Sequence, residues 1–390
     1  GTFLYLFPNR YSGEAGRGWR FLYRITVAYA LSLLGAVALF CWIPVDPLDM
    51  ALPAWLRALC LPLYMLIFFV PFFLAGLSIC VTLVISRRSI NVLYFWDILA
   101  AAVGAVASLA LLSFLGGYGA ILFAAGLGFA AALMYAVLAS VRPALTAFVL
   151  FIAAAGLFLA YPKWAQENYQ FDIRSTKDRA HRSVFTEDFG GINATYWNAI
   201  ARIDISKTGN STSPMYRFGF APYVDIGKIP GRYVLVDGGA NTRQLQAVGS
   251  IKEHAYFRDS LWASPYIAHP PGGNYRSLVI GGGGGIDVLI AKYFDVPEVD
   301  VVELNPATYR LLTGTLGEPE SQLYQPWLIS DATRVNYFNR EGRHFCTTRP
   351  DETYDVIQAS GVDTLTAIST GGMSLAENYL YTTNAVEEYW

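Results

Sequence analysis

Residues 277–303, SLVIGGGGGIDVLIAKYFDVPEVDVVE, decide how this chain is read. Ser277–Ile280 is a short apolar run of strand type, and Gly281–Gly285 follow it directly. Val288–Tyr293 carries a helical pattern, and Val299–Val302 is a second apolar strand that ends in Glu303. The unit is strand, glycine loop, helix, strand, with an acid at its close. That arrangement suits a nucleoside. Glycines let the backbone approach the ligand, the helix start offers N–H groups, and an acid about 20 residues on accepts the ribose hydroxyls. Gly283 and Glu303 stand at this separation. Five consecutive glycines cost backbone entropy on ordering, a cost that a plain turn does not require.

Downstream, Trp327–Ile329 and Tyr354–Ala359 read as a third and a fourth strand, followed by Asp331 and Asp363. Right-handed crossovers place the four in the order three, two, one, four. Two ligand classes fit. A dinucleotide needs the loop to cradle a pyrophosphate, whereas an S-adenosyl ligand has no phosphate and carries a sulfonium. Asp331-Ala332 after a third strand suits an adenine contact in the second class. Leu375–Trp390 reads as a helix leading towards a fifth strand. The chain starts without Met and stops inside that helix, so the expectation is a fragment whose nucleoside-binding domain is C-terminally incomplete. Further residues or a partner chain would then cover the open edge of the fourth strand.

Upstream, Ala199–Ile205 and Tyr233–Val236 alternate with period two and predict a small β region, with Asp237-Gly238-Gly239 as a turn. Asn193 and Asn210 head three-residue glycosylation matches that are common by chance.

Residues 1–161 differ in kind. They hold eight Arg, no Lys and four acids (Glu14, Asp46, Asp49, Asp97), while 162–390 hold the other 20 of 28 basic and 26 of 30 acidic groups. Five apolar stretches, Ile25–Ile43, Leu59–Ile85, Ile90–Leu115, Tyr118–Val141 and Ala144–Tyr161, are long enough to span about 30 Å of hydrocarbon. Pro62 and Pro71 predict a kink in the second. Gly116-Gly117-Tyr118-Gly119 predicts a tight hairpin turn between the third and fourth. The expected organisation is a multi-span α-helical membrane domain over 1–161, a linker and small β region over 162–270, and an α/β Rossmann-like domain over 271–390. Counts of Arg and Lys on the two sides of five crossings come to seven against six and do not fix orientation. Asp97 is the one acid inside an expected span, which makes it either a proton-relay candidate or a local cap near Trp96, Arg87 and Arg88.

Composition excludes several classes. With 54% hydrophobic residues and 15% charged, the chain is not wholly soluble. Cys41, Cys60 and Cys80 lie in apolar runs and Cys346 stands alone, which excludes a disulfide scaffold. The four His are scattered and no Cys/His ligand spacing occurs, so no metal site is expected. A net charge of −2 without a basic stripe argues against nucleic acid.

The motifs together carry a resemblance. Val279–Glu303 with Leu304-Asn305-Pro306, Ser330-Asp331-Ala332, Tyr354-Asp355-Val356-Ile357-Gln358, Val362-Asp363-Thr364 and Glu377-Asn378-Tyr379-Leu380-Tyr381-Thr382 resemble the spermidine/spermine synthase superfamily. The chain looks most like the bacterial branch in which that domain follows a multi-span membrane region, and Tyr94–Gly104 resembles a segment of those proteins. The resemblance implies a methyltransferase/aminopropyltransferase-type fold binding S-adenosylmethionine or its decarboxylated form. It implies that Gly281, Gly282, Gly283, Gly285 and Asp287 line the ligand, Glu303 holds the ribose, Asp331 faces the adenine, and Asp363 binds and deprotonates a substrate amine. It also implies a multi-pass protein of the bacterial inner membrane with its soluble part in the cytoplasm, as a homo-oligomer or within a membrane complex, and it favours a structural role for Asp97. Polyamine synthases carry two acids three residues apart after the fourth strand; here the first is Ser360. Their Tyr-His-Glu stretch is replaced by Arg258, Asp259, Trp262 and Tyr266, and their Asp-Gly-x-x-Gln turn appears as Asp237-Gly238-Gly239-Ala240-Asn241. Ligand-binding features thus outlast polyamine-catalytic ones. The expected function is an integral membrane transferase that alkylates an amine or another nucleophile. The alternatives are a non-catalytic subunit that keeps the fold and, third, a nucleoside-sensing transporter.

Overall fold

The computed structural model describes residues 16–43, 53–139, 148, 151–152, 156, 191–210, 219–224, 229–237, 240–269, 273–318, 320–329, 333–350, 353–362 and 379–390. The chain divides into two compact units, Gly1–Lys177 and Asp178–Trp390.

In the first unit, long apolar sequence becomes long helix: α1 (Arg17–Trp42), α2 (Ala54–Ile85) and α3 (Ile90–Leu138). Among the described residues, three helices are long and apolar enough to cross a membrane. The central helix is α1. Its Leu22 and Ile25 pack on Leu77 and Val81 of α2, beside Tyr135 of α3, and its Ala30 meets Phe129 of α3. Close approach depends on a small residue, since a Cβ at Gly128 would lie 3.1 Å from Ala30 and Tyr29. The expected turn at Gly116–Gly119 is corrected to one residue. Gly116 alone leaves the helical region, at φ 66° and ψ 178°, and Gly117, Tyr118 and Gly119 are helical. A single glycine reaches that torsion at no steric cost, so no longer turn is needed. Helix α2 runs on through Pro62 and Pro71. Asp97 lies two turns into α3, half-buried. Most of the expected fifth stretch, Ala144–Tyr161, lies outside the described residues.

The second unit begins with an antiparallel meander, β1 (Ile192–Trp197), β2 (Arg202–Ser206), β3 (Gly231–Val236) and β4 (Ala240–Leu245). The expected strand Ala199–Ile205 therefore starts later. Asn198 folds the preceding residues into a turn by accepting the N–H groups of Ile200 and Ala201. Both faces of the meander are covered. Ile203, Ile205 and Val234 pack on Ala307 and Leu311, and Tyr233, Leu235 and Leu245 join the larger core with Leu289 and Trp327.

The parallel sheet follows: β5 (Arg276–Ile280), α4 (Ile286–Tyr293), β6 (Glu298–Val302), α5 (Pro306–Leu312), α6 (Gln325–Ile329), β7 (Arg334–Phe338), α7 (Gly342–Thr347) and β8 (Val356–Ala359). A last helix, α8 (Thr383–Tyr389), is capped by the Thr382 hydroxyl, which accepts the Ala385 N–H. The strand order is β7-β6-β5-β8, the expected order of three, two, one, four. The third strand itself needs correction. Trp327–Ile329 belongs to helix α6, and β7 lies five residues further on. Buried Lys292 donates to the Trp327 and Leu328 carbonyls at 2.9 and 3.1 Å, which satisfies acceptors at the end of that helix. Asp331 thus precedes the third strand instead of following it.

The meander and the parallel sheet are tied by a buried ion pair. Arg232 on β3 donates through both terminal nitrogens to Glu318, at 2.7 and 2.6 Å, and through Nε to Gln244 at 2.8 Å. Its guanidinium also stacks 3.9 Å from the Tyr324 ring centre. A buried pair with its hydrogen bonds filled in this way is costly to break from one side.

Candidate functional site

The carboxyl ends of β5, β6 and β8 meet at one edge of the parallel sheet. The chain reverses direction of strand order between β5 and β8, and open α/β sheets form a ligand crevice at such a switch point.

Loop 281–285 turns back under this edge. Gly281 sits at φ 81°, a region that favours glycine, and a Cβ there would meet Val362 at 2.7 Å. At Gly284 the constraint is space: a Cβ would lie 1.7 Å from the Arg243 carbonyl oxygen of β4. The meander therefore lies directly on the loop. Four loop amides are already engaged. Gly281 donates to the Val302 carbonyl at 2.8 Å, Gly283 to Glu303 at 3.0 Å, Gly284 to the Thr242 hydroxyl at 3.2 Å, and Gly285 to the Gly282 carbonyl at 2.8 Å. A pyrophosphate cradle needs such amides free.

Glu303 stands at the end of β6, facing the loop. One carboxylate oxygen accepts the Gly283 N–H and the other accepts the Asn305 N–H at 2.8 Å. Burial pushes its carboxyl above the usual carboxylate range, while these backbone donors pull it down. The Leu304 N–H adds a third backbone donor, and an ionised carboxylate has about four acceptor positions, so about one remains.

Asp287, in the first turn of α4, points instead to β8. It accepts from Gln358 Nε2 at 3.1 Å and from Ser360, and burial pushes its carboxyl up to about 7. Gln358 also lies within 3.3 Å of the Trp262 carbonyl and 3.1 Å of the Ser360 hydroxyl. Glu303 and Asp287 thus flank the same glycine loop but face different strands. Asp331 and Asp363 lie outside the described residues; Val362, immediately before Asp363, donates its N–H to Tyr381 at 2.9 Å.

Some residues at this edge were not read from sequence. Asn339, just past β7, donates to the carbonyls of Glu303 and Leu304 at 2.8 and 3.0 Å. Glu341 caps α7 by accepting from Arg343 and His344. Placing β7 at Arg334–Phe338 is what would have exposed both. Tyr266 is buried and bonded to Ser277 at 2.9 Å, beneath the sheet.

No family model matches the chain. Among solved structures it is similar to a "Crystal Structure of Spermidine Synthase in Complex with Transition State Analogue AdoDATO". Identity is 18%, the match covers 44% of this chain and 48% of that one, and the TM-score is 0.27. The chain spans about half the length of that structure, and a likeness at this score carries no argument about the site.

Proposed function

We propose that this chain is a membrane-integrated, spermidine-synthase-like transferase that binds S-adenosylmethionine or its decarboxylated form. The carrying observation is Glu303: buried, placed by backbone N–H groups at the end of β6, and left with an acceptor position for a ligand hydroxyl. The engaged loop amides favour a nucleoside without phosphate over a dinucleotide. The three long apolar helices support membrane integration, and an S-adenosyl substrate made in the cytosol supports a cytoplasmic second unit.

In the proposed transfer, an acceptor amine gives a proton to Asp363. The amine lone pair forms a bond to the carbon beside the sulfonium. The carbon–sulfur bond breaks and leaves its electron pair on sulfur as a neutral thioether. A carboxylate is the suitable base because alkylammonium groups are mostly protonated near neutral pH. Ser360 favours one second reading, a non-catalytic subunit that retains nucleoside binding, because the first acid of the family's pair is missing. Transfer of labelled carbon from S-adenosylmethionine to an added amine separates the two.

The test of the nucleoside site is Glu303→Ala. Loss of a charged hydrogen-bonding partner costs about 1.5–3 kcal/mol, so affinity for S-adenosylmethionine should fall about tenfold to a hundredfold. Unchanged affinity in that variant overturns the assignment.

A further inference from the structure

Charge in the first unit is gathered at one end of its helices. Leu22, near the start of α1, packs with Val81, near the end of α2, and Trp19, Ile85 and Tyr135 join the same cluster. A Cβ at Gly16 would lie 3.9 Å from the Ala139 carbonyl oxygen. The start of α1 and the ends of α2 and α3 therefore lie together. Arg17, Arg20 and Arg24 of α1 stand at this end, with Arg87 and Arg88 in the turn after α2. Among the described residues, only Arg57 stands at the other end. The described residues of this unit hold no Lys and one acid, Asp97. Arg20, Arg24, Arg87 and Arg88 are exposed. No ion pair among the described residues involves Arg24, Arg87 or Arg88.

Arg24 is the informative residue. It lies on an exposed stripe of α1 with Arg20, Ala28, Leu31 and Leu39, at the spacing of one helix face, while Leu22, Ile25 and Thr26 are buried. In a bilayer that stripe faces hydrocarbon, and Arg24 stands at its head, immediately before the apolar stretch that begins at Ile25. A guanidinium keeps its charge at every ordinary pH, so it cannot shed the charge as a carboxyl can; it needs an anion. The anion at that depth is phospholipid phosphate. Its oxygens match the guanidinium fork, and the apolar stem of Arg lets the head reach the interface. Four exposed arginines without a compensating acid favour a lipid of net negative charge over one whose choline cancels its phosphate. We propose that this end of the first unit is a binding surface for anionic phospholipid headgroups, with Arg20 and Arg24 of α1 and Arg87 and Arg88 after α2 contacting phosphate. The surface rests on the membrane integration proposed above and adds to it a class of lipid and a place.

The experiment is native mass spectrometry of the full chain in a neutral detergent, titrated with phosphatidylglycerol, with phosphatidylcholine, and with glycerol 3-phosphate as the soluble headgroup. The parent should bind phosphatidylglycerol at least about tenfold more tightly than either of the others. One arginine near an anionic lipid is worth about fivefold, so Arg24→Gln should lower phosphatidylglycerol affinity by about that factor. The triple variant Arg24→Gln, Arg87→Gln, Arg88→Gln should lower it about twentyfold or more. Arg57→Gln, a helix length away and beyond the screening distance, should change it by no more than about twofold. Should the triple variant fail to fold, Arg24→Gln carries the test alone. Four results overturn the surface: equal binding of the two lipids, unchanged phosphatidylglycerol affinity in Arg24→Gln, a loss in Arg57→Gln as large as in Arg24→Gln, or glycerol 3-phosphate bound as tightly as the lipid, which marks a free-phosphate site. Solubility without detergent tests membrane integration separately. A chain that needs detergent and gives any of those four results overturns the surface and leaves integration standing. A chain soluble without detergent whose phosphatidylglycerol preference is lost in Arg24→Gln supports the surface and overturns integration. A soluble chain without that preference overturns both.

Discussion

The two units use the same residues to opposite ends. In the helices of the first unit, large apolar side chains face outward: Phe72 is 77% exposed and Phe114 is 87% exposed. In the second, Leu278, Val279, Val299 and Val301 of the central strands are fully buried. Glycine divides in the same way. A Cβ at Gly104 or Gly126 in α3 would touch nothing within 4 Å, whereas one at Gly284 would run into backbone. Outward apolar surface is stable where the solvent is itself apolar, and the outward apolar faces of the first unit suit the membrane integration proposed for it. Gly104 and Gly126 are permissive, whereas Gly128 at the contact with α1 and Gly284 in the glycine loop are required by their neighbours.

The largest expected effect tests charge burial. Glu318→Ala strands the Arg232 guanidinium inside the second unit and should cost about 3–5 kcal/mol. Exposed Arg87 of the first unit, changed to Ala, should shift stability by no more than about 0.5 kcal/mol. Urea unfolding of the full chain in detergent, followed by tryptophan fluorescence, measures both. Equal losses would erase the contrast.

Next comes the loop. Gly284→Ala must push β4 aside and should cost about 1–3 kcal/mol or more. Thermal unfolding checks it, and a midpoint equal to the parent's would contradict the observed contact with Arg243.

A pH effect follows from Asp287, whose carboxyl lies at about 7 in the folded chain against 3.8 when free. The folded state holds the proton across that window and the unfolded state does not. This contribution is therefore fully present below about pH 4 and is lost as pH rises through 7, by up to about 1.4 kcal/mol per pH unit. Relative to Asp287→Asn, the parent should lose stability across this range in paired melting curves at each pH. Parallel curves would show that Asp287 does not titrate there.

The smallest effect is Gly104→Ala, which fills open space in a helix and should change stability by less than about 1 kcal/mol, in the stabilising direction if at all. A large loss in detergent-solubilised protein would reveal a packed neighbour at that helix face.

Much of the parallel sheet was legible. The strand order follows from crossover handedness, and the placing of Glu303 opposite the loop follows from a spacing that the backbone enforces. The third strand was not legible. Trp327-Leu328-Ile329 is an apolar triplet too short for periodicity to separate helix from strand. The true strand, Arg334–Phe338, has an exposed or half-buried residue at every position and lacks the apolar run of its neighbours. The cover over the glycine loop was also hidden. Strand β4 is Ala-Asn-Thr-Arg-Gln-Leu, a polar sequence whose Arg243 and Gln244 are nonetheless buried, Arg243 over the Phe220 and Trp262 rings and Gln244 against Arg232. The crevice cluster of Asp287, Gln358 and Ser360 joins residues more than 70 positions apart, which local pattern cannot bring together.

The central claim is that the engaged loop and the incompletely filled Glu303 carboxylate select a phosphate-free adenosyl ligand. Calorimetric titration of the full chain in detergent with S-adenosylmethionine, and separately with NAD, tests it most directly. The account predicts saturable binding of S-adenosylmethionine with NAD at least about tenfold weaker, a gap of about 1.4 kcal/mol. Preferential binding of NAD would contradict it.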